Sequence, residues 1–369
     1  MNTDKRLKSL DALRGFDMMF IMGFATIVVS ICHLFPGGDT CALAQNMEHV
    51  AWHGLHHHDT IFPLFLFIAG ISFPFSYAKQ VAHGASGKQI YLKIFKRTAV
   101  LILLGLVING VLKGDWAHIR FASVLARIGL AWMFAALLYI NFKPRARAVI
   151  AAVILVGYWL LLKFVPAPDA GPGADPYSFE GNLVGYVDRL LLPGVKWNDS
   201  FDPEGILSTL PAIVTAMLGM FTGEFVRLDE KKMSGGRKSA YMLVTATVIT
   251  VIGLIWSLDF PINKALWTST FVLVVGGYSL ALFAIFYYII DVRGWNRWCL
   301  FFEVIGLNAI TIYVGQSLIP FTNIAKNIVG GIAKACPPDY GNLLLVIGAF
   351  ALKWLFLYFL YRKKAFLKV

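Results

Sequence analysis

Charge is scarce in this sequence. Only 15% of its 369 residues are Asp, Glu, Lys or Arg, against 58% hydrophobic, and the mean hydropathy is +0.67. A soluble domain carries roughly a quarter charged residues, so a chain this long and this apolar has too little polar surface to face water. Acidic residues are the scarcer sign, 21 against 33 basic, which gives a formal net charge of +12. Cysteine is rare as well, and four residues do not make a disulfide scaffold. The ~10-residue alternating segments of a membrane β-barrel are missing, as are internal repeats and any low-complexity tract beyond the Pro/Gly stretch at 166–176. Walker and dinucleotide glycine patterns are absent too; Gly235-Gly236 and Gly276-Gly277 are too short for either, which argues against an ATP-driven pump.

Long apolar runs are what the chain does have. At ~20 residues per crossing of a ~30 Å hydrocarbon core there is room for about ten helices. Hydropathy broken by charge and Gly/Pro clusters places spans near 15–35, 60–78, 98–112, 121–142, 148–166, 205–226, 240–257, 268–290, 298–318 and 341–361. The sequence therefore reads as an all-α polytopic membrane protein, a single domain over 1–369 with long outer loops near 36–59 and 167–204. With the N-terminus inside, 23 of the 33 basic residues fall on the inner side, 8 outside, and two, Arg127 and Lys353, within spans. This bias predicts that both termini are cytoplasmic and makes the positive charge a topology signal rather than a nucleic-acid surface. The first apolar segment has a basic flank but no small-residue cleavage site, so a retained helix is expected rather than a signal peptide. Cys41 and Cys336 both fall outside, where an oxidising compartment permits a bridge; unpaired apolar cysteine is the default expectation.

Five of the eight histidines lie between Glu48 and Asp59. His49/His53 and His53/His57 have the i, i+4 spacing of a helical zinc site, but no second ligand cluster accompanies them and no metal is expected. His56, His57 and His58 read as solvated histidines of an interfacial loop. A single catalytic imidazole is the third reading, and spacing alone does not choose which. Polar residues in or at the mouths of spans are candidates because of their cost in a bilayer: Asp59, Asn109, Arg127, Asn263, Lys264 and Asn308. Asn308 as an interhelical hydrogen-bonder and Lys264 as a snorkelling lysine are the structural alternatives. On the derived topology His49, Asp59, Arg120, Glu204, Asn263 and Lys264 share the outer side. The inner side carries Arg14, Lys96-Arg97 and Lys143/Arg145/Arg147, explained either by positive-inside retention or by a polyanionic ligand entering from the cytoplasm.

The opening Arg6-Leu7-Lys8-Ser9-Leu10-Asp11-Ala12-Leu13-Arg14-Gly15 resembles the R-x-x-S-x-D-x-x-R-G start of the transmembrane acyltransferase superfamily. The run from His49 through Trp52, His53-Gly54-Leu55 and Asp59 to Phe62-Pro63-Leu64-Phe65 is similar to the heparan-α-glucosaminide N-acetyltransferase family, including its bacterial members. Further matches follow in order: Arg120 to Gly129, Asp202-Pro203-Glu204-Gly205, Pro261-Ile262-Asn263-Lys264 and Gly306-Leu307-Asn308. The resemblance implies acetyl transfer across a membrane, from cytoplasmic acetyl-CoA to the amine of a glucosamine unit on the other side, with the active-site histidine at His49 and a homodimeric assembly. Animal members carry a further lumenal N-terminal region unmatched here, and the segment around His49 is richer in histidine.

The chemistry asks for a base or nucleophile and for donors to a developing oxyanion. On this reading His49 is central and Asp59 orients it or binds the acceptor. Asn263 and Lys264 contact the carbonyl or sugar, with Trp52, Arg120 and Glu204 completing an acceptor site for an amino sugar or oligosaccharide. Arg14, Arg97, Arg127 and Asn308 are the residues expected to hold CoA. An amino-sugar transporter and an O-acetyltransferase of an envelope polysaccharide are the alternatives, and a bacterial inner membrane is the expected location.

Overall fold

The computed structural model of the chain describes residues 7–114, 118–198 and 200–367; Lys5, Arg6 and Lys368, counted above on the inner side, lie outside the described residues. Fifteen α-helices follow in order: α1 Lys8–Met19, α2 Ala25–Cys32, α3 Ala42–Asn46, α4 His57–Ala82, α5 Gly87–Ile108, α6 Val124–Asn141, α7 Pro144–Phe164, α8 Leu183–Leu191, α9 Thr209–Val226, α10 Gly235–Trp256, α11 Ser269–Phe286, α12 Leu300–Gly306, α13 Ala309–Leu318, α14 Phe321–Ala335 and α15 Pro338–Arg362. Many starts are written in the sequence. Ser123, Ser234 and Thr268 accept from the backbone N–H three residues on, at the heads of α6, α10 and α11. Ser86 and Gln89 form a capping box on α5, and Pro144 opens α7. Among the described residues the only β pairing is an isolated bridge between Arg120 and Gly194.

The all-α membrane architecture holds, with a different count. Among the described residues eight helical stretches are long and apolar enough to cross a bilayer, and the α12/α13 pair makes nine if taken as one bent span. The expected span at 98–112 falls on α5, where Lys88, Lys93, Lys96 and Arg97 crowd the first half of a 22-residue helix. The first span begins at Lys8 rather than 15, which brings Asp11 and Arg14 into its helix beside Asp17. The outer segments are partly helical: α3 and the head of α4 occupy 36–59, and α8 occupies 167–204.

α4 and α9 sit innermost. Gly70 and Gly219 face each other between them, and a Cβ on either meets the other helix's backbone. Gly15 meets Phe302 and Gly306 meets Asp11 in the same way, so two glycines of the family motifs let α1 and α12 touch backbone to backbone. α10 turns Val244, Val248, Val251 and Ile255 outward, as a lipid-facing helix should. Two spans are interrupted. α1 passes into α2 through a π-helical turn, Phe20–Phe24, with Gly23 at φ 132°. Lys353 of α15 donates to the Met22 carbonyl at that turn, 2.8 Å, which accounts for one of the two cations inside spans. α12 and α13 meet at a 54° bend. Cys41 and Cys336 are not bridged; the Cys41 sulfur instead caps α3 by accepting from Ala44 N–H at 3.3 Å.

Candidate active site

The head of α4 builds the site. Asp59, its third residue, accepts from the backbone N–H of His56 (3.0 Å) and of Val50 (3.3 Å), both through Oδ2. Those bonds fold the preceding segment back over the helix end and carry His49 to the other oxygen, with Nδ1 of His49 2.7 Å from Oδ1 of Asp59. Lys264, from the turn between α10 and α11, brings Nζ to 3.0 Å from Nδ1 and 3.3 Å from Nε2 of His49, and to 3.4 Å from Oδ1 of Asp59. The carboxylate is buried at 1% side-chain exposure and the imidazole is open at 54%. A carboxylate oxygen this close to Nδ1 favours the ring proton there, which puts the lone pair on Nε2, with Lys264 Nζ 3.3 Å from it. Burial pulls the Lys264 pKa below the ordinary lysine value, against the pull of Asp59 and Glu204.

Asn263 and Trp52 hold this geometry together. Asn263 is fully buried; its Oδ1 accepts from Leu266 N–H at 2.8 Å and its Nδ2 reaches Nδ1 of His53 at 3.4 Å. Gly54 N–H donates to the Ile262 carbonyl, 2.9 Å, so the segment bearing His49 and the turn bearing Lys264 are fastened directly. Trp52 donates its indole N–H to the Tyr177 carbonyl, 2.9 Å, and packs edge-on against Phe179 and Phe201. The 167–204 segment is thereby pinned onto the site. Burial lowers the pKa of His53, with Asp175 opposing.

Beside this triad lies an ion-pair network. Arg120 forks onto Asp202, Nε to Oδ2 and Nη2 to Oδ1 at 2.7 Å each, and Nη2 also pairs with Glu204. Asp188 of α8, likewise buried, accepts from Ile206 N–H at 2.9 Å; burial pushes its pKa up to about 6 although this bond pulls the other way. Sequence reasoning missed Asp188, and the nine-residue amphipathic α8 that carries it reads as a solvated face. Asp202 was visible only as part of a motif.

The inner-side candidates divide. Arg97 stacks over Trp132, 4.1 Å to the ring centroid, and lies within electrostatic reach of Arg14, which bonds Ser72 at 3.3 Å. Arg97 lines a cavity of about 280 Å³ together with Lys93, Lys96, Ser76, Gln80 and Trp132. Arg127 stands apart, in the first turn of α6. It is 1% exposed, donates to the Gly205 carbonyl at 3.1 Å and to Ser208, and sits 5.1 Å over Trp267. Asn308, also 1% exposed, lies at the α12/α13 bend rather than beside the arginines, with Thr311 donating to it at 3.5 Å. A small apolar void of about 30 Å³, lined by Met18, Phe62, Phe65, Leu125 and Tyr313, lies among α1, α4, α6 and α13. The reading of His57 and His58 as solvated is corrected, because α4 starts at residue 57 and its first turn folds both rings partly inward. His56 is half-buried as well and reaches the Glu48 carbonyl, 3.1 Å.

A buried carboxylate, an oriented imidazole and a lysine at the mouth of a helical bundle are compatible with several chemistries. Comparison with known sequences narrows them: the family model described as "Heparan-alpha-glucosaminide N-acetyltransferase, catalytic" matches residues 6–259. The chain belongs to this family. The human and mouse proteins named heparan-alpha-glucosaminide N-acetyltransferase are each 28% identical to it, over 99% of this chain and 60% of their own length. The chain thus spans about three-fifths of the curated relatives it matches. The family match covers His49, Asp59, Arg120 and Glu204 and stops before Lys264, the residue that the fold returns to His49 from 215 positions away.

Proposed function

We propose that this chain is a transmembrane N-acetyltransferase that moves acetyl from acetyl-CoA, bound from the cytoplasmic side, to the amine of a glucosamine-type sugar on the extracytoplasmic side. The observation that carries the reading is the His49–Asp59 pair, Nδ1 to Oδ1 at 2.7 Å, opening onto the surface within a family of acetyltransferases. Asp59 fixes the tautomer, so that Nε2 can take the amine proton or attack the thioester itself. Lys264 offers an ammonium to the carbonyl oxygen as it gains charge. Arg120 and Glu204 are proposed as the rim that binds the sugar, with Asn263 and Trp52 holding the two loops in register. The cavity lined by Lys93, Lys96 and Arg97 suits the phosphates of CoA, with Arg14 beside it, and the donor's arm would reach from there through the middle of the bundle toward His49. Arg127 and Asn308 are proposed to contact the donor's arm in that middle region. A bacterial inner-membrane seat and a homodimer belong to the same proposal and rest on the family resemblance alone.

The test is an assay of protein in nanodiscs with acetyl-CoA and a panel of amino sugars, following CoA release and product mass. Wild type is expected to form an amide, and His49→Ala to lose 10²-fold or more in turnover, in keeping with removal of a general base. An ester product would move the reading to O-acetylation. Rapid-quench detection of acetyl-imidazole on His49 separates a covalent route from direct transfer. The two interrupted spans favour one other reading, because broken helices near the bilayer middle also serve secondary transporters. Uptake of amino sugar without CoA release would establish it and overturn acetyl transfer.

A further inference from the structure

Below the outer site lies a second row of titratable groups that the acetyl transfer described above leaves unused. The His58 ring packs against His49, centroids 4.6 Å apart. The His57 ring packs on Phe20 of the π-turn at 4.5 Å and stands edge-on to Tyr278 of α11 at 6.2 Å. Tyr278 lies within electrostatic reach of Thr60 and of Asp17 on α1, while Thr60 Oγ1 bonds the His57 carbonyl at 2.8 Å. Asp17 is 2% exposed. His58 Nδ1, His57 Nδ1 and Asp17 Oδ2 are all buried without a hydrogen-bond partner among the described residues. Leaving a buried polar atom unpaired is costly. All three belong to α1 and the head of α4, where Tyr278 of α11 stands against His57, and are groups that water and a moving proton would pair. The charged groups facing them are Asp59 and Lys264, beside His58.

We propose that His58, His57, the Tyr278–Thr60 pair and Asp17 form a proton relay joining His49 to the interior of the bundle. The inference rests on the acetyltransferase reading. In that reaction the acceptor nitrogen bonds the acetyl carbon, and the carbon–sulfur bond breaks with its electron pair left on sulfur. The nitrogen sheds one proton to Nε2 of His49. The imidazolium must lose that proton before the next turnover, while the departing thiolate must gain one. The relay carries a proton from His49 by way of His58, His57 and Tyr278 to Asp17, and the thiolate is protonated from that side. The proton that leaves nitrogen is thus matched by one gained on sulfur, and no net charge accumulates in the membrane. Asp17 and Tyr278 are relay groups, distinct from the residues that touch the acceptor.

The experiment compares wild type, Asp17→Asn and Tyr278→Phe in nanodiscs. It reads kcat and KM for the amino sugar, the solvent deuterium isotope effect on kcat, and the response of kcat to millimolar formate or imidazole. Asp17→Asn is expected to lower kcat about tenfold or more, at the lower edge of general acid–base effects, with KM changed less than twofold. A larger isotope effect and partial rescue by the small acids should accompany the loss. Tyr278→Phe deletes one oxygen and keeps the ring, so it tests the relay even where Asp17→Asn fails to fold; about a threefold loss with the same rescue is expected, smaller because Thr60 persists. Unchanged kcat, or a loss without isotope effect and without rescue, would overturn the relay. A wild type that transfers no acetyl would overturn the proposed function instead, so the two failures are distinguishable.

Discussion

At the scale of single residues, the site is a contest for one imidazole. Asp59 holds Nδ1 at 2.7 Å and Lys264 stands 3.0 Å from the same atom, so the carboxylate compensates a cation that would otherwise face the ring unpaired. Burial lowers the Lys264 pKa, with Asp59 and Glu204 opposing. The ammonium is therefore lost as pH rises through a value below that of ordinary lysine, roughly 10.4. If the charged form polarises the acetyl carbonyl, the alkaline limb of kcat falls below that value. Lys264→Arg, which stays charged, is expected to move the limb up by about one pH unit or more. Lys264→Met should lose about 10²-fold at every pH, the scale of one oxyanion donor. An alkaline limb that stays in place in the arginine variant would assign it to another group. The histidine run shows how far sequence reaches at this scale. Spacing left the five histidines equivalent and the resemblance picked His49; the physical selector is Asp59 ten positions on together with Lys264 across the fold, and the second of these is invisible to local pattern.

At the scale of elements, the outer segments are tied down by charges that look like loop polarity but are paired and buried. Arg120 holds Asp202, itself wholly buried, by two bonds of 2.7 Å. Burial would raise the Asp202 pKa, but the guanidinium outweighs it and the value stays depressed. A depressed carboxyl contributes stability that is present above its unfolded pKa, about 3.9, and is lost as pH falls through the folded value. Arg120→Met strands that carboxylate and should cost about 3–5 kcal/mol, as broken buried pairs do. The melting temperature in detergent should fall, and the gap from wild type should close as pH drops below about 4 and Asp202 is protonated. Arg120→Met with Asp202→Asn should recover part of the loss. Equal melting temperatures for wild type and Arg120→Met at pH 7 would show that the network does not hold the cap. Hydropathy located nearly all of these helices but not their interruptions. Gly23 and the bend at Leu307-Asn308 bring no charge, and an average over a full span cannot register one residue at φ 132°.

At the scale of the whole molecule, the unsettled helix is α5, and its direction decides from which side the donor arrives. Its 22 residues make a rod of about 33 Å, long enough to cross. It starts four residues after α4 ends, beside Lys88, Lys93, Lys96 and Arg97. It ends at Asn109, whose Nδ2 donates to the carbonyls of Arg120 (2.7 Å) and Ala122 (2.8 Å), residues of the outer network. We propose that α5, which joins the basic cavity to the His49 face, runs through the bilayer with its cations at the inner end, as the positive-inside bias favours. With α5 and the bent pair added to the eight candidate spans the crossings would number ten, an even number that would put both termini on the side of the cavity, the arrangement we propose and the labelling tests. Single cysteines at Lys88, Glu180 and Lys363, in a chain whose four cysteines are replaced, test this with an impermeant maleimide on right-side-out vesicles. Glu180→Cys should label in intact vesicles, and Lys88→Cys and Lys363→Cys only after permeabilisation. Labelling of Lys88→Cys from outside would mean that α5 turns back. The cavity of Lys93, Lys96 and Arg97 would then open on the same side as His49, and donor and acceptor would have to enter by one door.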